Sequence, residues 1–181
     1  MKNKLILLFV LLLSSSSFAQ KMITRSGTID FEASMPAFEE IAAKNNTVSC
    51  IFDKTTGDFV VLALVKGFRF KLPLMEEHFN ENYMESELFP KAIFKGKIVG
   101  YNEVKLAAGK QVFEVTGDLT LHGVTQKVTT KMTFNTSGDK IITTGSFALK
   151  PVDYKIDIPN IVKSKIANEV KLSMHFELEN K

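Results

Sequence analysis

Most of this chain alternates between apolar and polar side chains, and few folds accept that pattern. Phe113, Val115, Leu119 and Leu121, with Gly117 keeping the parity, are separated by Glu114, Thr116, Asp118 and Thr120. Val124, Val128, Met132 and Phe134 are interleaved with Lys127, Thr129, Lys131 and Thr133, and near the carboxyl end Val170, Leu172, Met174, Phe176 and Leu178 alternate with Lys171, Ser173, His175 and Glu177. Ile141 to Leu149 repeats the pattern less cleanly, with Phe147 and Leu149 inward, and Ile93 to Val99 sets Phe94, Gly96 and Ile98 against Lys95 and Lys97. Successive side chains of a strand point to opposite faces, so each run predicts a strand with one buried and one wet face. Thr56-Gly57-Asp58, Ala108-Gly109-Lys110, His122-Gly123 and Ser137-Gly138-Asp139 fall between the runs as turn signals and predict antiparallel hairpins. Roughly seven to nine short strands make an all-β domain with two short helices, a closed barrel or a sandwich.

One stretch breaks the alternation. Phe59 to Val65 is apolar on both parities before Phe68, Phe70 and Leu72 resume against Arg69 and Lys71. A strand apolar on both faces needs a cover on its outer side. Two segments with helical spacing are the candidates: Pro36 to Lys44, with Phe38, Ile41 and Ala42 after Ser34, and Leu74 to Leu88, with Met75, Phe79, Asn82 and Tyr83 behind Pro73.

The first 19 residues read differently. Lys2 and Lys4 precede the apolar run Leu5 to Leu13, and Ser17-Phe18-Ala19 supplies a small-x-small cleavage site. That is the layout of a signal peptide, and the run is too short to span a bilayer. The expected organisation is therefore a signal peptide at residues 1–19, cleaved after Ala19, and a single domain over 20–181 in a soluble periplasmic or secreted protein. Cleavage removes two of the 23 Lys and Arg and none of the 20 Asp and Glu, so the remainder is close to neutral. A near-neutral chain with no basic face argues against a nucleic-acid partner. The lone Cys50 sits in the apolar run Val48 to Phe52 and reads as a small buried hydrophobe rather than a reactive thiol. Stability must come from the apolar core, for which about 160 residues suffice.

No catalytic set can be assembled. His78, His122 and His175 are scattered over a helix, a hairpin turn and the wet face of the last strand, none at metal-ligand spacing. Nucleophile-elbow, phosphate-loop and dinucleotide glycine motifs are missing too. The expectation is a non-enzymatic protein without a metal or cofactor. Glu76, Glu77, Glu81, Glu85 and Glu87 read as the solvated face of a helix, and His122 beside Gly123 as a turn residue bonding the backbone.

Two stretches carry a resemblance. Glu76 to Ser86, continuing through Phe89-Pro90-Lys91-Ala92-Ile93-Phe94-Lys95-Gly96, and above all Gly117-Asp118-Leu119-Thr120-Leu121-His122-Gly123-Val124-Thr125, resemble the YceI-like family of lipocalin-like, polyisoprenoid-binding exported proteins. Phe147 to Ile156, with Asp153-Tyr154, is similar to that family's last-but-one strand. The likeness runs well from about Phe68 to Ile158. The amino-terminal part departs, because the family's common members pair a His-Ser with a second His there, and Ile23 to Ala33 and Val48 to Phe52 contain no histidine.

The resemblance implies an antiparallel barrel of about eight strands with an apolar interior that holds an isoprenoid lipid or quinone-like molecule. Parity then places Phe68, Phe70, Phe94, Phe113, Leu119, Leu121, Met132, Phe134, Phe147 and Met174 inward as ligand-lining residues, with His78 at the cavity mouth. Composition alone leaves open whether these side chains line a cavity or fill a solid core, in which case the barrel would be an interaction module acting through its outer surface.

Overall fold

The computed structural model describes residues 21–36 and 38–181. The segment read as a signal peptide lies outside them. Nine strands are present among the described residues: β1 (Lys21–Ser34), β2 (Ala42–Asp53), β3 (Asp58–Leu64), β4 (Arg69–Phe70), β5 (Lys91–Ile98), β6 (Gln111–Leu121), β7 (Val124–Ser137), β8 (Lys140–Leu149) and β9 (Ile166–Asn180). Two short helices join them, α1 (Pro73–His78), which runs on into a π-helical turn at Phe79–Tyr83, and α2 (Glu103–Ala107).

All pairings are antiparallel, and β1 bonds β9 on one side and β2 on the other, so eight strands close into a barrel in the order β1-β9-β8-β7-β6-β5-β3-β2. Closure removes the exposed edges that an open sheet would offer to other chains. The short β4 is an appendage, pairing Ala43 with Phe70 and Lys44 with Arg69 on β2. The expected turns are in place: Gly57, Gly109, Gly123 and Gly138 all have positive φ. At one point the wall is pinched. Gly96 and Gly117 face each other across β5 and β6, and a methyl group on Gly117 would collide with the Gly96 backbone. Only the absence of a Cβ lets the two strands approach so closely there.

One expected helix does not form. Ala42, Ala43 and Lys44 are the first residues of β2, Ile41 donates its N–H to Ser34 Oγ, and Ala33 donates to the Ile41 carbonyl, so the segment closes the β1–β2 hairpin instead. Phe38, Ile41 and Ala42 supply barely one turn of helical spacing, too little to offset nucleation against a ready strand partner. The second helix begins behind Pro73 as the sequence suggests, but regular α geometry ends at His78. It also does not cover β3. Val60 and Leu62 on the outer face of β3 are half-buried and Leu64 is exposed, whereas Met75, Phe79 and Tyr83 lie over one end of the barrel.

The interior divides along the barrel axis. Toward the start of β1 and the end of β9, Phe52, Phe59, Phe134 and Phe176 are fully buried and pack ring to ring, with centroids 5.6–6.3 Å apart. Phe113 adds a ring 5.7 Å from Phe134, and Leu106 of α2 closes the end from outside. This is the floor. The opposite end, where the connections 35–41, 65–90, 122–123 and 150–165 meet, is the mouth.

Candidate functional site

Above the aromatic floor the barrel is hollow. A cavity of about 440 Å³ extends from Ile29, Phe59 and Met132 up to Phe38, His78 and Lys165 at the mouth. That volume falls within the range of small-molecule sites, about 300–1,000 Å³. Its walls come from alternate residues of β1, β3, β5, β6, β7, β8 and β9, which is the direct consequence of the period-two pattern. Polar side chains are sparse among the described lining residues: Glu39, His78, Tyr83 and Lys165 toward the mouth, and Thr130 in the wall. Thr130 spends its hydroxyl proton on the Ser146 carbonyl at 2.9 Å. The wall thus offers an occupant almost no hydrogen-bonding partner below the mouth.

The mouth is framed by two constellations. On one side Phe31, Phe68, Phe70 and Phe79 form a second aromatic cluster with centroids 5.1–5.9 Å apart, held by the Arg69–Glu76 ion pair at 2.7 Å. The Glu76 carboxylate also accepts the Phe70 backbone N–H at 3.2 Å. On the other side His122 clasps three connections. Its Nε2 lies 2.9 Å from Glu85 Oε2, its Nδ1 lies 3.1 Å from the Tyr154 carbonyl, and its ring packs on Phe89 at 4.5 Å. Each ring nitrogen faces an oxygen, so the one ring spans the Glu85 carboxylate and the Tyr154 carbonyl. Glu85, His122 and Lys155 all have positive φ, a strained conformation for residues other than glycine. All three belong to this clasp or adjoin it, so its contacts are what hold the strain in place.

The residues singled out from the sequence divide accordingly. Phe68, Phe70, Phe94, Leu119, Leu121 and Met132 lie on the cavity wall, as do Phe147 and Met174, and His78 stands exposed at the mouth. Phe113 and Phe134 point inward as parity requires but do not reach the cavity, because both are consumed in the floor. Sequence reasoning passed over Phe31 and Ala33, whose alternation in β1 could have marked them, and gave Phe79 only to a helical cover for β3, whereas it lines the cavity from the lid that α1 and its π-helical turn form over the mouth. It also passed over Ile156, Ile158 and Val162, which carry no periodic signal because they lie in an irregular connection.

No cysteine or serine stands among the described residues that line the cavity. Cys50 is fully buried in β2, and desolvation pushes its thiol well above the usual range. Burial raises the Tyr83 and Tyr154 phenols as well, with Asp153 adding to the effect at Tyr154. No group of three or more His, Cys, Asp or Glu among the described residues is placed to hold a metal ion. No hydrogen bond among them joins His78 to His122. No helix of the described residues is long and apolar enough to cross a membrane.

Solved structures with the same architecture can be set beside this one. A polyisoprenoid-binding domain from Saccharophagus degradans, implicated in plant cell wall breakdown, superposes with a TM-score of 0.76 at 14% identity, covering 90% of this chain and 99% of its own. BcnA from Burkholderia cenocepacia follows at 0.68 and 18% identity, covering 84% and 95%, and a YceI protein from Campylobacter jejuni at 0.63 and 15%, covering 81% and 88%. At such identities the likeness is one of fold. No curated protein matches the sequence significantly. The family model for the YceI-like domain matches residues 17–178, nearly the whole chain, and with the closed eight-stranded barrel this places the protein in the YceI-like domain family.

Proposed function

We propose that this protein is an exported, non-enzymatic carrier or store that holds a long apolar molecule, an isoprenoid lipid or a quinone-like compound, in the upper half of its barrel. The observation that carries the reading is the cavity of about 440 Å³, lined by side chains such as Phe94, Leu119, Phe147 and Leu172 and almost free of polar partners below the mouth. A hydrocarbon gains about 0.8 kcal/mol per CH₂ moved out of water, so a dry tunnel needs little further chemistry to bind one. Met75, Met84, Met132 and Met174 give the wall compliance, since the unbranched thioether adapts to an irregular occupant. A polar head would stay at the mouth, within reach of His78, Tyr83 or Lys165. The Saccharophagus domain, which shares the barrel, is described as binding polyisoprenoid, and that supports the choice of ligand class. The amino-terminal sequence supports export, by the order of its charged, apolar and small residues.

The rival reading, a solid barrel acting only through its outer face, requires a filled interior. Packing across the interior is solid at the floor, and the hollow upper half is difficult to reconcile with that reading.

Native mass spectrometry of the protein purified without detergent, followed by solvent extraction, tests the proposal. A co-purifying mass that extracts as a prenyl lipid or quinone is the expected result. A bare protein that also refuses added isoprenoids would overturn it.

A further inference from the structure

The mouth carries an apolar surface that the cavity does not account for. Phe38, Leu72, Leu74, Leu88, Val152 and Ile161 are all exposed, and all lie in connections at that end. Ile161 stands furthest out, 86% exposed, in the connection between β8 and β9. The same connection lines the cavity with Ile158, Val162 and Lys165, so its inner face is part of the binding site while its outer face is unpartnered. It is also the basic part of the mouth. Between residues 150 and 165 it bears Lys150, Lys155, Lys163 and Lys165 against Asp153 and Asp157. Lys155, Lys163 and Lys165 are exposed and enter no ion pair among the described residues. The other acids of the mouth lie outside this connection: Glu39 and Glu40 between β1 and β2, with Glu40 engaged by Lys71, and the rest on α1 and the turn that follows it, where Glu76 is engaged by Arg69 and Glu87 by Lys66.

An exposed aliphatic side chain flanked by unpaired lysines is the composition of an interfacial anchor, apolar below and cationic at the headgroup level. We infer that residues 155–165 dock the barrel mouth on a lipid bilayer with an anionic surface, with Ile161 entering the headgroup boundary and Lys155 and Lys163 meeting lipid phosphates. The inference rests on reading the cavity as a lipid site, and it adds a route: a ligand that never leaves apolar surroundings on its way between bilayer and barrel avoids the cost of exposing its chain to water. The acidic α1 segment then tilts away from the membrane.

The test is flotation of the full-length mature protein with vesicles. Wild type is expected to float with phosphatidylglycerol–phosphatidylethanolamine vesicles and to remain behind with pure phosphatidylcholine. Lys155→Glu and Lys163→Glu should each weaken flotation roughly fivefold or more, and Ile161→Asp about tenfold. Val104→Asp, at an equally exposed position of the opposite end, should change nothing. In parallel, all variants are offered geranylgeraniol from ethanol, with no membrane present. Undiminished uptake by Ile161→Asp and Lys163→Glu, with flotation lost, supports docking. Wild type that takes up geranylgeraniol yet never floats overturns docking and leaves the ligand reading intact. Flotation without uptake leaves docking standing and removes the ligand reading. Flotation by Ile161→Asp equal to wild type, or a wild-type dimer in sedimentation that Ile161→Asp dissolves in place of flotation, also overturns it.

Discussion

At the floor of the barrel, Phe52 of β2 and Phe134 of β7 meet at 5.6 Å although their strands stand on opposite sides of the closed sheet. Phe59 and Phe176 cross the interior in the same way at 6.1 Å. At the mouth, Phe31, Phe68, Phe70 and Phe79 sit at similar ring separations, but they belong to neighbouring segments, β1, β4 with the residue before it, and the lid, and form a sheet of rings on one side. Nothing of comparable size answers them from β6 and β7, which offer Leu119, Leu121 and Val128. The same residue type therefore fills one end and lines the other. What differs is whether rings project from both sides of the barrel at the same height. The floor supplies stability of the ordinary close-packed kind, and the hollow half forgoes some of it for room.

This contrast is most easily broken at Phe134, which is fully buried against Phe52, Phe59 and Phe113. Phe134→Ala should cost about 3–5 kcal/mol, read as a lower urea midpoint at unchanged slope, while Phe70→Ala at the cavity wall should cost far less because its ring already faces open space. Equal losses at the two positions would mean that the cavity collapses in solution. The converse variant fills the hollow half. Ala92 pairs with Ala63 across β5 and β3, and both face the cavity. Ala92→Phe should leave stability within about 1.5 kcal/mol of wild type, yet cut uptake of geranylgeraniol at least tenfold. Unchanged uptake would show that the cavity is not where the ligand goes.

The clasp at the mouth gives the next effect in size. His122 is buried to 9% side-chain exposure and joins Glu85 to the Tyr154 carbonyl. His122→Asn keeps a side chain that tolerates positive φ but cannot span both partners, so the loss should be about 1–2 kcal/mol, accompanied by faster amide exchange in residues 84–89 and 151–156. Exchange confined to the floor would be evidence against a mouth held by this residue. Thr143 offers a gain. It lies between Phe134 and Phe176 in the pairing of β7, β8 and β9, fully buried, and its hydroxyl has no hydrogen-bond partner among the described residues. Thr143→Val keeps the shape and should stabilise the floor by about 1 kcal/mol, seen as a higher melting temperature.

Parity along a strand tells which face a side chain takes, and it placed Phe94, Phe147, Phe113 and Phe134 inward alike. It does not tell at what height they sit, and height decides between wall and floor. That depends on register, for example Phe113 opposite Met132 and Phe134 opposite Thr143, which is fixed by pairing between distant segments. The lid was half legible. Pro73 marked its start, but the short helix at 36–44 was a misreading, since Ala42 and Ala43 suit either structure and only the pairing with Phe31 and Glu32 decides. Ile158, Val162 and Ile161 were illegible, because an irregular loop positions side chains without a period.

The mildest probe of the same contrast is alkaline titration of the tyrosines. All three are raised above the ordinary phenol range, Tyr83 and Tyr154 at the mouth by burial and Tyr101 beneath the floor to about 12, by burial first and then by the negative charges of Glu103 and Asp53. Tyr101 packs edge-on against Phe52 at 5.9 Å and donates its hydroxyl proton to the Lys54 carbonyl, so ionising it would cost the floor a hydrogen bond. A phenol whose folded pKa exceeds its unfolded value favours the folded state while protonated. That contribution is complete below about pH 10 and is lost as the pH climbs toward 12. Near-ultraviolet titration should therefore show less than half of the tyrosines ionised at pH 10, with the last fraction appearing together with loss of the folded signal. Tyr101→Phe should remove that last fraction and leave the mouth tyrosines where they were. If the latest-ionising phenol survives the substitution, the tighter end of the barrel is the mouth and not the aromatic floor.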